Sequence, residues 1–225
     1  MALFAQLIIG TVIGSFLFAT FSRVQIGQTC LTPARSYCDH CQHQLGWGEL
    51  IPIISYLYLR GRCRYCRTVI TPWTLIVEGY FGLLAIAWQP TLTATCMTLI
   101  GGLLCFMSLH DLATMRVPSL YFYLVMLCAS LTHLSNLTWW HVGLIACWLL
   151  FQLLPDTNRY FGAGDVDLGL SFAILFNLYH LAWLLLIASC TALLVAIVSG
   201  QRQLPFIPFL TAGYLTLVFV NLVRF

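Results

Sequence analysis

The stretch GYFGLLAIAWQPTLTATCMTLIGGLLCFMSLH, residues 79–110, contains no aspartate, glutamate, lysine or arginine. A helix that crosses the hydrocarbon core of a membrane needs about 20 apolar residues. The stretch is too long for one such helix, and Gln89-Pro90 interrupts it where proline cannot continue a helix. It therefore predicts two membrane-spanning helices joined by a tight break, and with them a helical membrane protein.

Uncharged stretches of the same kind occupy much of the remaining chain, at 2–22, 117–155, 168–201 and 203–223. Polar residues divide the second of these near Ser135-Asn136 and the third between Asn177 and His180. We predict an all-α polytopic membrane protein with about eight transmembrane helices, in a range of six to eight because two breaks are short. The predicted helices cover 3–22, 73–89, 92–110, 119–134, 139–154, 164–178, 180–199 and 206–223.

The composition excludes a soluble enzyme. Of the 225 residues, 60% are hydrophobic and only 8% are charged, whereas about a quarter of a soluble domain is charged. All ten basic side chains are arginines, since the chain has no lysine. This excludes serine–lysine dyads, Schiff-base lysines and Walker-type phosphate loops.

The distribution of arginine predicts the orientation in the membrane, since short cytoplasmic loops collect basic residues. With the N-terminus outside and eight helices, nine of the ten arginines lie on the cytoplasmic side and only Arg224 lies outside. The first apolar segment lacks the basic start and small-residue cleavage site of a secretory signal. We expect three parts: a retained transmembrane helix at 1–22, a cytoplasmic loop at 23–72 and a membrane-embedded core at 73–225.

The loop contains two Cys-x-x-Cys knuckles, formed by Cys38, Cys41, Cys63 and Cys66. Four thiolates at this spacing predict a closed tetrahedral site, most simply a structural zinc. Two disulfides are the alternative, but a cytoplasmic loop lies in a reducing compartment. His40 and His43 are possible substitute ligands, and solvated loop histidines are the simpler interpretation of both.

Acidic residues are few, and most lie in or beside the predicted spans, where an ionisable group indicates function. Asp111 ends the third predicted span and Asp165 opens the sixth, so both are expected at the cytoplasmic face. Two carboxylates brought together share a proton, with one acting as base toward water and the other as acid toward a carbonyl.

Each aspartate could instead cap a helix or pair with Arg116 or Arg159. The flanking Gly162 and Gly164 would let an extended peptide approach the backbone. Asp167 points to a different helix face from Asp165, so we do not expect it to be the partner.

Other chemistries find little support in the sequence. It contains neither a G-x-S-x-G elbow nor an H-E-x-x-H helix, which are the local patterns of serine hydrolases and zinc peptidases. We expect no nucleic-acid partner, since topology and anionic lipid headgroups explain the arginines of the loop.

Together these motifs resemble the bacterial type IV prepilin peptidases, the membrane aspartic proteases of the G-x-G-D group. The resemblance runs nearly end to end and places its motifs in the family's order. It is carried by Gly14-Ser15-Phe16-Leu17 with Arg23, the paired knuckles with Gly61-Arg62-Cys63, Glu78, Asp111 with Pro118, Gly162-Ala163-Gly164-Asp165, and Leu204-Pro205-Phe206.

The resemblance implies catalysis by Asp111 and Asp165, with Gly162, Gly164 and Glu78 as supporting motif residues. It implies removal of the basic leader of type IV prepilins or pseudopilins at the cytoplasmic face of the bacterial inner membrane, in pilus assembly, protein secretion or competence. It also implies N-methylation of the new terminus with S-adenosylmethionine, whose binding residues remain unassigned.

Three residues depart from the family pattern: Phe18 stands where Asn is common, Asp167 where Lys is frequent and Ile207 where Gly is frequent. The first bears on methylation, so a peptidase without methyltransferase activity is one alternative. A small transporter or a membrane assembly factor with a metal-binding loop are the others. A transporter would need acids spread through the bilayer, whereas here they cluster at one face.

Overall fold

A computed structural model describes residues 1–28, 35–134, 138–153, 163–200 and 204–223 of the chain. This part is mostly helical and contains no β-strand, only two isolated bridges. Its α-helices are α1 (Ala2–Gln25), α2 (Ile54–Tyr58), α3 (Trp73–Ala87), α4 (Leu92–Thr114), α5 (Ser119–Thr132), α6 (Trp139–Leu153), α7 (Ala163–Leu175), α8 (Leu178–Ser199) and α9 (Ile207–Val223), with one 3-10 helix at Trp47–Glu49.

The prediction of a helical membrane protein is confirmed, and each of the eight predicted segments contains a helix. Three helices, α1, α4 and α8, are long and apolar enough to cross a membrane. The apolar helices α3, α5, α6 and α9 are shorter, and α7 has 13 residues, about 20 Å at 1.5 Å per residue. The count of eight spans therefore stays a prediction.

One helix end differs from its predicted position. The sequence places the end of the third span at Asp111, but α4 continues to Thr114. Leu112 and Ala113 are strong helix formers, so the helix runs on until Met115 adopts a left-handed conformation with φ of 50°. Asp111 consequently lies in the last turn of a helix and not in a loop.

The chain divides into two compact units, Met1–Ile86 and Ala87–Phe225. In the first unit, α1 packs against α3 through glycines on both helices. A Cβ on Gly10 would collide with the carbonyl oxygen of Phe81, and one on Gly14 would lie 3.0 Å from that of Val77. Gly10 and Gly14 form a small-xxx-small motif, which lets two membrane helices approach closely.

The core of the second unit is formed by side chains from α4, α5, α7, α8 and α9. Tyr214 of α9 is fully buried, and its hydroxyl donates to the carbonyl of Met97 in α4 at 2.7 Å. Ser108 of α4 and Thr211 of α9 share a buried hydrogen bond of 2.6 Å. These bonds fix α9 along α4. The apolar part of the core includes Ile100, Leu104, Phe122, Val125, Leu168, Phe172 and Leu184.

The glycine contact in the first unit predicts an asymmetric response to alanine. Gly10→Ala should lower the thermal midpoint of the detergent-solubilised protein, because its Cβ meets backbone atoms of α3 that cannot move aside; overpacking of this kind costs about 1–3 kcal/mol. Gly79→Ala on α3 is the matched control, because its Cβ meets nothing within 4 Å. Equal midpoints for the two variants would contradict this packing.

Candidate functional site

Asp111 lies where the end of α4 meets the beginning of α9. Its Oδ2 accepts a hydrogen bond from the backbone N–H of Ile207, the first residue of α9, at 3.2 Å. The first N–H groups of a helix have no partner within the helix and favour a negative charge. Asp111 therefore caps a helix distant in sequence, and it remains half-buried.

Asp165 lies in the first turn of α7 with an exposed side chain. It is close enough to Asp111 for the two carboxyl groups to interact electrostatically. The structure thus brings together, at one end of the second unit, the two aspartates that the sequence singles out. They come from the last turn of one helix and the first turn of another, so helix packing sets their separation.

Gly164 has a packing role that the sequence analysis did not anticipate. A Cβ on this residue would lie 2.6 Å from Cζ of Phe122, whose buried ring belongs to the core. The glycine therefore lets the start of α7 press against α5, and the space beside it is filled by protein and not open to a peptide. Gly162 and Arg159 lie outside the described residues.

Asp167 is buried and faces α6. Its Oδ1 accepts hydrogen bonds from Trp148 Nε1 at 2.8 Å and from Gln152 Nε2 at 2.7 Å. Trp148 and Gln152 are four residues apart on one helix face, and this spacing is the signal that could have indicated an acidic partner. The acid fastens α7 to α6 two residues after Asp165.

Glu78 belongs to the first unit and has a structural partner there. It is buried in α3, and its Oε2 accepts a hydrogen bond from the backbone N–H of Ile53 at 2.7 Å. Ile53 has a φ of 62°, which is strained for a β-branched residue. Glu78 therefore holds an unusual turn of the loop against a membrane helix.

The four loop cysteines converge as predicted. Their sulfur atoms all lie within 4.8 Å of one another, and those of Cys38 and Cys66 are 3.7 Å apart. Zinc–sulfur bonds of about 2.3 Å in a tetrahedron separate the sulfurs by about 3.8 Å. The four are free thiols, so the alternative of two disulfides does not describe this structure.

The two knuckles are built alike. The N–H of Cys38 donates to the carbonyl of His43 at 3.0 Å, and the N–H of Cys63 donates to that of Thr68 at 2.9 Å. Each pair joins the first cysteine to the residue five positions on. Around each knuckle lies an isolated antiparallel bridge, Tyr37 with Gln44 and Arg62 with Val69.

The protons on these sulfurs are unevenly held. Hydrogen bonds from the hydroxyl and backbone of Thr68 lower the pKa of Cys66 to about 5. The backbone hydrogen bond from His43 to Cys41 is outweighed by lost hydration and the other three sulfurs, which raise the pKa of Cys41 to about 11. A dication would displace the remaining protons.

His43 is not among the grouped ligand atoms. Its ring lies 3.6 Å from that of Tyr65, measured between centroids, so it packs across to the other knuckle. The donor set in the described loop is four sulfurs.

These features define a class: a helical membrane protein with a four-cysteine cluster in one unit and two neighbouring aspartates in the other. The family model for the bacterial peptidase A24 N-terminal domain matches residues 8–90. No solved structure matches the chain.

Curated relatives match over nearly the whole chain. A prepilin leader peptidase/N-methyltransferase from Burkholderia pseudomallei is 31% identical, covering 95% of this chain and 84% of the relative. The one from Bacillus subtilis is 27% identical over 92% and 89%. A type 4 prepilin-like proteins leader peptide-processing enzyme from Escherichia coli is 28% identical over 94% and 91%. The chain belongs to the prepilin leader peptidase/N-methyltransferase family and is an enzyme of this kind.

The contacts of Asp167 predict different outcomes for two substitutions. Asp167→Leu should destabilise the purified protein, because leaving the Trp148 and Gln152 donors unpaired in the interior costs about 1–3 kcal/mol each. Asp167→Asn should stay nearer the wild type, because its amide oxygen still accepts both bonds. Thermal unfolding in detergent measures the difference, and a Leu variant as stable as the Asn variant would show that the bonds do not hold α7 to α6.

Proposed function

We propose that this chain is a membrane aspartic endopeptidase that removes the basic leader of prepilins or pseudopilins. Family membership supports the substrate class, since relatives across 90% or more of the chain carry names that refer to prepilin leaders. The observation that carries the chemistry is the meeting of Asp111 and Asp165 at the ends of α4 and α7. A transporter or an assembly factor would give this pair no work to do.

In the proposed reaction, the two aspartates hold one proton between them. Asp111, with one oxygen fixed by the Ile207 N–H, takes a proton from water as the water oxygen attacks the scissile carbonyl carbon. Asp165 gives its proton to the carbonyl oxygen, which forms a tetrahedral diol. Asp165 then recovers a proton from a diol hydroxyl, Asp111 passes its proton to the leaving nitrogen, and the C–N bond breaks.

We extend the proposal to methylation on the strength of the relatives' names alone. S-Adenosylmethionine would supply a methyl group to the new terminal amine, which gives up a proton. The described residues of the first unit offer no glycine-rich loop after a strand, and the buried acid Glu78 is engaged by Ile53. These residues do not fit a recognisable nucleotide site, so we derive no step through this cofactor.

We propose that the cysteine cluster holds zinc. Its sulfurs suit a tetrahedron, and four protein ligands leave no open position for water. Cys38, Cys41, Cys63 and Cys66 would order a loop that is too small for a core of its own. The location proposed for the enzyme is the bacterial inner membrane, with this loop and the aspartates on the cytoplasmic side, as the arginines favour.

Cleavage should depend on both aspartates. A prepilin co-expressed with the wild-type chain should lose its leader, as seen in its intact mass, and an added methyl group would establish the second activity. Asp111→Asn and Asp165→Asn should each slow cleavage by about 10²–10⁴-fold, because each removes a proton-transfer group. Asp39→Asn, at an exposed acid of the loop, is the matched control; cleavage that survives both catalytic substitutions would refute the mechanism.

The metal proposal predicts stoichiometric zinc in protein purified without chelator. Cys63→Ser removes a buried ligand and should abolish the bound zinc and lower the yield of folded protein, because structural zinc contributes folding energy. Cys190→Ser, at an exposed cysteine of α8, should leave both unchanged. Elemental analysis decides the matter, and zinc retained in the Cys63 variant would overturn this assignment.

A further inference from the structure

Large apolar side chains remain exposed in the loop that carries the cysteines. Trp47 is 86% exposed, Tyr58 85%, Ile54 64% and Leu57 61%. Ile54, Leu57 and Tyr58 are spaced i, i+3 and i+4, so they share one face of α2. We call these four residues the apolar lip. Contiguous exposed apolar surface outside the membrane helices marks a binding surface.

The lip is fastened to a membrane helix near its end. The backbone N–H of Ile53, which directly precedes α2, donates to Oε2 of Glu78 at 2.7 Å. Glu78 is five residues into α3, which begins at Trp73, or about 7 Å along the helix axis. Interfacial helices bury their apolar face about 5–10 Å into the boundary between headgroups and acyl chains. The lip therefore lies at interfacial depth.

The backbone is bent to achieve this placement. Ile53 has a φ of 62°, and the N–H of Ile54 donates to the carbonyl of Pro52 at 2.6 Å, closing a tight three-residue turn. Such a turn is strained. The buried carboxylate of Glu78 stabilises it, so the direction in which α2 leaves α3 is fixed and not left to chance.

The charge next to the lip selects the partner. Exposed arginines follow α2 directly, at Arg60, Arg62, Arg64 and Arg67. The acids of the described loop are Asp39 and Glu49, and Glu49 already accepts the N–H of Gly46 at 2.8 Å. Anionic lipids attract such basic clusters beside a membrane, whereas a basic leader peptide carries the same sign and would be repelled.

We propose that the apolar lip inserts into an anionic phospholipid leaflet and that the arginines beside it contact the lipid headgroups. Trp47 and Tyr58 take the positions in which aromatic residues prefer the membrane interface. The cysteine cluster is thereby anchored on the bilayer surface at a fixed distance from α3. This proposal is independent of the aspartate chemistry.

The test uses the full chain in nanodiscs that contain a small amount of phospholipid with a diazirine at the start of an acyl chain. After illumination, peptide mass spectrometry should find lipid adducts within residues 47–58, and none on the first knuckle at 38–41. Adducts on 47–58 should be more abundant in discs of phosphatidylglycerol than in discs of phosphatidylcholine. Adducts on α1 serve as the internal reference, since this apolar helix labels in either lipid.

Two variants separate the contributions. Arg62→Gln with Arg64→Gln should abolish the excess labelling in phosphatidylglycerol, and Leu57→Ser with Tyr58→Ser should remove labelling of 47–58 while that of α1 persists. Absence of adducts on 47–58 in the wild type, or equal labelling in the two lipids, would overturn the proposal. So would loss of the adducts on adding a prepilin, because the lip would then be a peptide site.

Discussion

The N–H groups at the start of α9 give Asp111 the hydrogen-bond donor that a carboxylate at the end of an apolar helix requires. Without such a donor, a partly buried carboxylate is costly. The Ser108–Thr211 bond and the Tyr214–Met97 bond fix α9 along α4, so they decide whether that donor is present. The site therefore depends on helix packing deep in the second unit, and substitutions far from the aspartates can disturb it.

Asp165 depends on a different set of contacts. Its position follows from the start of α7, which Gly164 allows to press against Phe122 and which Asp167 fastens to α6. The two aspartates thus belong to helices that are positioned independently, one through α9 and the other through α5 and α6. A pair held in this way lets a water molecule and a peptide bond be oriented without any single loop carrying both acids.

The sequence predicts the helices and the cysteine cluster because both depend on local pattern. Apolar length defines the helices, and two Cys-x-x-Cys pairs define a four-sulfur site whatever path the chain takes between them. Contacts across helices leave no such local signal. The bonds of Glu78 to Ile53 and of Asp167 to Trp148 and Gln152, and the contact of Gly164 with Phe122, arise only from packing. The end of α4 was placed too early because helix propensity carried the chain past Asp111.

The most direct test of the account compares Gly164→Ala with Gly169→Ala in the kinetics of prepilin cleavage. A Cβ at Gly164 displaces the start of α7 and with it Asp165, whereas a Cβ at Gly169 in the same helix meets nothing within 4 Å. The account predicts a kcat about 10–100-fold lower for Gly164→Ala with KM little changed, and near wild-type kinetics for Gly169→Ala. Equal rates in the two variants would contradict the claim that the packing of α7 against α5 sets the aspartate pair.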